Sequence, residues 1–288
     1  MHHGLFVINA ITNKIEKNLP YSTTLNSPPI LSPDGKYLYV SLISPPNNSS
    51  YSILDTSSDT VVGDLTLPFS TQYLTITKDG LHAFAVDYNS PTKIHIVDLI
   101  NKTIISTFSI TWQDVSVPGK TQYWEFTMNK SSLGLTPNGN KLFVAGSPQI
   151  IAGTTNYGRP DMTKMVVLDA ASLTIASRIQ FSSNLISSGY TYAIPATFTF
   201  TPDSQRGYLN YEYIWALDTI NNAIVGGLSS GFSANTAITP DGKYGYISDD
   251  FVVYKFDTAT NKIINAVSNN GQFTYFSTYG IVIQPDIT

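Results

Sequence analysis

One local pattern returns six times along the chain, and a repeat of this length leaves few folds open. An apolar run ends at an Asp, four small or polar residues follow, and a second apolar run begins. The copies read FVINAITNKIEKNL at 6–19, SILDTSSDTVVGDL at 52–65, HIVDLINKTIISTF at 95–108, VVLDAASLTIASRI at 166–179, WALDTINNAIVGGL at 215–228 and FDTATNKIINAV at 256–267. The pivots are Asn9, Asp55, Asp98, Asp169, Asp218 and Asp257. Six positions on stands a β-branched residue every time: Ile15, Val61, Ile104, Ile175, Ile224 and Ile263. Ten positions on stand Leu19, Leu65, Phe108, Ile179, Leu228 and Val267.

A second motif alternates with the first. It reads SPDGKYLYV at 32–40, TKDGLHAFA at 77–85, TPNGNKLFV at 136–144, TPDSQRGYL at 201–209 and TPDGKYGYI at 239–247. Four residues after the Gly, or after Ser204, an aromatic follows: Tyr39, Phe84, Phe143, Tyr208 and Tyr246. Pro-Asp-Gly signals a tight turn. One unit therefore reads as four strands: an apolar strand into the tight turn, an alternating strand with the aromatic, a strand ending at the pivot, and a strand carrying the β-branched residue. The pivot Asp is expected to accept hydrogen bonds from backbone N–H groups just ahead of it, as an Asx turn.

Regular four-stranded units of about 40–50 residues without helical periodicity describe the blades of a β-propeller. The expected fold is all-β, a single propeller domain over 1–288 with six four-stranded blades. The C-terminal stretch YGIVIQPD at 279–286 supplies a first strand and the N-terminal stretches 4–9 and 14–20 supply third and fourth strands. Shared in one blade, these N- and C-terminal strands are expected to close the ring and remove sheet edges.

These repeats resemble the YVTN-type β-propeller repeat family, whose units read roughly PDGKYLYVS…VIDTATNKVV. The resemblance covers all six units and is strongest at 32–66 and 239–267. It implies a propeller of the extracellular or surface-layer kind, with some quinoprotein dehydrogenase-like relatives. Four N-x-S/T sequons, at Asn47, Asn48, Asn101 and Asn129, point the same way. The expected location is extracellular or at the cell surface, although Met1-His2-His3-Gly4 shows neither the charged nor the apolar region of a secretory signal.

Composition removes several function classes. Charged residues make up 12% of the chain and the formal charge is −4. Without a Lys/Arg stripe to neutralise phosphates, nucleic acid is not an expected partner. No apolar run approaches the length of a membrane-spanning helix. The absence of Cys rules out disulfides and thiolate chemistry. His82 and His95 fall at strand positions of the repeat, His2 and His3 are terminal, and no G-x-S-x-G is present. No cofactor and no metal ligand set is expected. A calcium-type propeller hydrolase or lactonase is the enzymatic alternative, and a structural lattice or virion component, with self-association, is a third. The hydrolase would need carboxylates at the channel mouth. The positions there, Pro28, Tyr73, Ser132, Thr197, Asn235 and Gly280, offer none.

The remaining signal is asymmetric loop length. Both tight turns of a unit must lie on one face, and all length variation falls in the connections of the other: 44–50, 109–131, 146–163 and 180–194. Long connections carry function more often than short ones. The expected role is non-enzymatic binding of a protein or glycan partner through this long-loop face. The expected contact residues are Trp112, Tyr123, Trp124, Tyr157, Arg159, Tyr190 and Tyr192, rigid amphipathic rings with one cation on uncharged loops.

Overall fold

A computed structural model describes residues 4–9, 14–20, 29–42, 49–71, 73–87, 90, 93–114, 122–150, 164–180, 197–210, 214–228, 235–248 and 252–268. Every element among them is a β-strand. Strands β1 (Gly4–Asn9) and β2 (Lys14–Pro20) form a two-stranded sheet of their own. The first blade is β3 (Ile30–Leu31), β4 (Tyr37–Leu42), β5 (Ser49–Asp55) and β6 (Thr60–Leu67). The second is β7 (Leu74–Ile76), β8 (His82–Val86), β9 (Lys93–Asp98) and β10 (Thr103–Ser109). The third has five strands: β11 (Thr111–Asp114), β12 (Gln122–Leu135), β13 (Lys141–Ile150), β14 (Lys164–Asp169) and β15 (Ile175–Gln180). The fourth is β16 (Phe198–Phe200), β17 (Arg206–Asn210), β18 (Ile214–Asp218) and β19 (Ala223–Leu228). The fifth is β20 (Asn235–Ile238), β21 (Tyr244–Ser248), β22 (Val252–Asp257) and β23 (Lys262–Ser268).

The blade number corrects the sequence reading. Among the described residues the chain builds five four-stranded blades, the third bearing one extra strand, and not six. The first copy of the repeat contributes only the hairpin β1–β2, with no inner partner for β1 in its sheet. The reason is visible in the copy itself: it holds the second half of a unit and lacks the Pro-Asp-Gly turn and the aromatic strand on which a blade is built. Residues 279–286, assigned from sequence to the closing blade, lie outside the described residues.

Within a unit the turns behave as their chemistry dictates. The Ser32 hydroxyl donates to Asp34 Oδ1 at 2.6 Å and accepts the Tyr37 N–H at 2.9 Å. Thr77, Thr136, Thr201 and Thr239 do the same for Asp79, Asn138, Asp203 and Asp241. The turn closes on a left-handed residue, Gly35 at φ 72°, a conformation that costs glycine nothing. Ser204 holds the same position at φ 60° in the fourth blade.

The pivot Asp is an Asx turn in every blade. Asp55 Oδ1 accepts the N–H groups of Ser57 and Ser58 at 2.9 and 3.0 Å. Asp98, Asp169, Asp218 and Asp257 repeat this pattern. Four residues after each pivot the chain turns left-handed, at Asp59, Lys102, Leu173, Asn222 and Asn261. Three residues further a β-bulge follows, leaving Val62, Ile105, Ala176, Val225 and Ile264 without an opposite residue, and Glu16 likewise in the hairpin. Asp, left-handed residue and bulge form one locally encoded device.

Four of the five core clusters lie between blades, and the fifth, Leu31, Leu38, Val40 and Leu54, falls within the first blade. Tyr39, Tyr51 and Leu65 of the first blade pack with Leu74, Ala83 and Val97 of the second. Phe84 and Ile94 pack with Leu142 and Val144 of the third. Phe143 and Val167 pack with Leu209 and Leu217 of the fourth, and Tyr208 and Ala216 with Ile247 and Phe256 of the fifth. Period-2 alternation sends successive residues of one strand to opposite neighbours.

Candidate binding face

Both tight turns of a blade stand at the same end of its strands, and in the first, fourth and fifth blades one side chain ties them together. The Thr after the pivot donates across to the neighbouring turn: Thr56 Oγ1 to Gly35 O at 2.7 Å and Thr258 Oγ1 to Gly242 O at 2.6 Å. Thr219 Oγ1 makes the same bond to Ser204 O. Blades are also stapled to one another on this face. Lys141 Nζ donates to Thr219 O at 2.6 Å, Tyr208 Oη to Asn261 Oδ1 at 2.9 Å, and Lys102 Nζ to Asp64 O at 2.5 Å.

The carboxylates of the turn face are therefore occupied by structure. Hydrogen bonds from Ser57 and Ser58 hold Asp55 down at about 2. Backbone N–H donors from Asn101, Ser172, Asn221 and Thr260, respectively, are the leading cause holding Asp98, Asp169, Asp218 and Asp257 below the usual carboxylate range. The Ser or Thr hydroxyl two residues earlier does the same for Asp34, Asp79, Asp203 and Asp241. A groove of about 380 Å³ opens here between the fourth and fifth blades, lined by Pro202, Asp203, Asp241, Lys243, Tyr244 and Asp257 among others. Its three carboxylates all accept hydrogen bonds within their own turns. Among the described residues no three His, Asp or Glu side chains converge to hold a metal ion.

The opposite ends of the strands carry the long connections. Sequence reading treats 109–131 and 146–163 as loops, but 111–114, 122–131 and 146–150 are strand. β12 runs for 14 residues and β13 for 10, well beyond the other blades, and β11 pairs with the added part of β12. The result is a three-stranded extension of the third blade on the long-loop side. The signal was present in the sequence: Trp112, Trp124 and Phe126 alternate with Gln113, Glu125 and Thr127, the period of a half-covered strand.

Register places the candidate residues with some discrimination. Trp112 stands opposite Trp124, and Trp124 opposite Ile150, so the three form one cross-strand row. Alternation puts Phe126 and Pro148 on the same face of the extension as that row. Tyr123, opposite Gln113, falls on the other face, with Glu125 and Gln149. Tyr157, Arg159, Tyr190 and Tyr192 lie outside the described residues.

Sequence reasoning passed over one arrangement on this side. His95 is buried, its Nδ1 2.7 Å from Thr107 Oγ1 and its Nε2 3.6 Å from Asp87 Oδ2. The Phe69 ring packs on the imidazole with centroids 4.3 Å apart. Its Nδ1 hydrogen bond links β9 to β10, with Asp87 at the end of β8 beside the ring. No spacing rule links Asp87, His95 and Thr107; only the strand register brings them together.

The fold has many relatives of known structure. A hydrazine synthase of Kuenenia stuttgartiensis is similar at a TM-score of 0.54 and 18% identity, over 86% of this chain and 68% of that one. The β-propeller domain of Myceliophteria thermophila Cps50 (Swd1) is similar at 0.52 and 11%, over 89% of each chain. At such identity the likeness establishes the β-propeller and nothing finer. No family model matches the chain, and no curated protein does. The narrower resemblance to YVTN-type repeats thus has no family match behind it.

Proposed function

We propose that this propeller is a non-enzymatic binding module, acting outside the cell or at its surface, that docks a protein or glycan partner on its long-loop face. The observation that carries this reading is the extension of the third blade. Four of the five blades keep one compact plan, and the third departs from it by adding strand. The strand register of Trp112, Trp124 and Phe126 there supports this reading. Binding energy usually concentrates in a few large aromatic anchors held in this way. The turn face is a poor rival, because its polar groups are spent on its own turns and on stapling the blades.

The purified chain should be applied to a glycan array and, separately, cross-linked to candidate protein partners, beside the Trp112→Ala/Trp124→Ala variant. Binding that disappears in the folded double variant supports the reading. A partner whose cross-links map to the Pro-Asp-Gly face, or whose affinity ignores both substitutions, overturns it.

A further inference from the structure

Of the four N-x-S/T sequons in the chain, one occupies an exposed tight turn. Asn47 and Asn48 lie outside the described residues. Asn129 falls within β12, in the stretch between Thr127 and Ser132 where pairing with β13 breaks register. Asn101, in Asn101-Lys102-Thr103, stands in the pivot turn of the second blade, between β9 and β10. All three residues of this sequon are exposed.

The local hydrogen bonding is compatible with a substituted amide. The Asn101 backbone N–H donates to Asp98 Oδ1 at 2.8 Å, and its Nδ2 donates one hydrogen to Asp98 Oδ2 at 2.8 Å. A side-chain amide nitrogen carries two hydrogens. Replacing one of them by a sugar carbon leaves one N–H, so the bond to Asp98 and a bond to sugar do not exclude each other.

The fourth blade has the same turn without the signal. Asn221 takes the place of Asn101 and donates from Nδ2 to Asp218 Oδ2 at 2.7 Å, but the residue two positions on is Ala223. The first, third and fifth blades have Ser58, Ser172 and Thr260 at this place. An Asn here therefore serves the turn in two blades, and the Thr103 hydroxyl is what sets the second blade apart.

The surroundings of the turn also suit a bulky hydrophilic group. Ile100, next to Asn101, is 70% exposed, and Ile105, Leu81 and Ile104 are 53%, 43% and 37% exposed. Leu81 belongs to this corner because its carbonyl accepts the Leu99 N–H. No other pivot turn among the described residues gathers as many exposed aliphatic side chains. A surface glycan is solubilising and covers the surface around its root.

We propose that Asn101 is an N-glycosylation site, an inference that rests on the location outside the cell or at its surface proposed above. The donor is a lipid-phosphate-linked oligosaccharide. Asn101 Nδ2 bonds to the anomeric carbon of the first sugar, and the carbon–oxygen bond to the lipid phosphate breaks, the phosphate leaving with its electron pair. The Nδ2 proton passes to a base of the transferase. Because the pivot turns stand at the opposite ends of the strands from the long connections, a glycan here leaves the long-loop face open to its partner.

The test is glycopeptide mass spectrometry on the protein recovered from the medium, surface and cytoplasmic fractions of the cells that produce it. A mass increment of a hexose or N-acetylhexosamine series, localised to Asn101 by electron-transfer fragmentation, is expected on the external protein. External protein with a bare Asn101 overturns this inference and leaves partner binding at the long-loop face standing, even where Asn47, Asn48 or Asn129 is modified. Protein confined to the cytoplasm overturns both the location and the modification. Two variants made in the same cells test the assignment. Thr103→Ala keeps Asn101 and its hydrogen bonds and is expected to abolish the increment, and a sugar that persists there also overturns the proposal. Ala223→Thr completes a sequon on the matching turn of the fourth blade and is expected to add a second glycan, at Asn221.

Discussion

The Tyr208 hydroxyl, in the fourth blade, donates to Asn261 Oδ1 in the fifth at 2.9 Å. The Tyr208 ring is fully buried, edge-on to Phe256, so one side chain supplies both apolar cement and a polar staple between blades. Burial pushes its phenol up to about 12, which keeps it a donor at any ordinary pH. Tyr208→Phe retains the packing and removes the staple. The expected loss is about 1 kcal/mol of unfolding free energy, read from urea denaturation. A loss several times larger would mean that the hydroxyl, not the ring, organises this interface.

The pivot carboxylate should behave as a cap. Asp218→Ala removes the acceptor for the Ile220 and Asn221 N–H groups and is expected to cost about 1 kcal/mol, by analogy with helix N-caps. Asp218→Asn keeps a side-chain acceptor and should cost less than half of that. Equal losses for the two would show that charge, rather than the Asx hydrogen bond, matters at this position.

Acid stability follows from the same turns. Carboxylates whose folded pKa is depressed stabilise the native state fully above their unfolded pKa, and that contribution is lost as pH falls through the folded value. All five pivot Asp residues and the four tight-turn Asp residues are depressed. Stability should thus hold from neutral pH down to about the ordinary carboxylate value of 3.8, then decline progressively towards about 2, where Asp55 titrates. Melting temperatures measured across that window test this; a decline complete above pH 5 would implicate other groups.

Gly245 admits no side chain. A Cβ there would sit 2.1 Å from Phe256 Cζ and 2.9 Å from Ile238 Cδ1. Gly245→Ala should cost at least about 1–3 kcal/mol through overpacking of the ring, while Gly63→Ala, with open space around it, should change stability little. Thermal melts of the two variants side by side make the comparison.

At the long-loop face, Trp124→Ala separates binding from packing. If Trp124 anchors a partner, its removal should weaken the complex by about 2 kcal/mol, roughly thirtyfold, with the melting temperature nearly unchanged. A stability loss of about 3–5 kcal/mol with intrinsic affinity intact would show the indole to be core.

The parts of this molecule that were legible from sequence are those encoded within a dozen residues. Pivot, left-handed residue and Pro-Asp-Gly turn each draw their hydrogen bonds from close neighbours, so spacing alone exposes the four-strand unit. The aromatic four residues past the tight turn is buried in all five blades and, in the first four, packs against the next blade. The number of blades was not legible, because a half-unit such as 4–20 looks like a blade in local pattern but has, among the described residues, no inner strands to make it one. The third-blade extension was misread as loop because Pro118, Gly119, Gly146 and Pro148 interrupt an otherwise regular alternation. His95 was unreadable in principle, since Asp87 and Thr107 reach it only through pairing with neighbouring strands.

The placement of the core between blades has a consequence for how substitutions combine. Leu142 and Val144 point into the packing with the second blade, while Phe143 and Ala145 point into that with the fourth. Chain neighbours here are energetic strangers: truncating Val144 and Phe143 together should sum the two separate effects. Phe143 and Leu209, far apart in the chain, share one cluster and should not add. Tolerance to mutation is thus partitioned by seam, and a propeller of this kind can degrade or improve one seam while the others keep their fit.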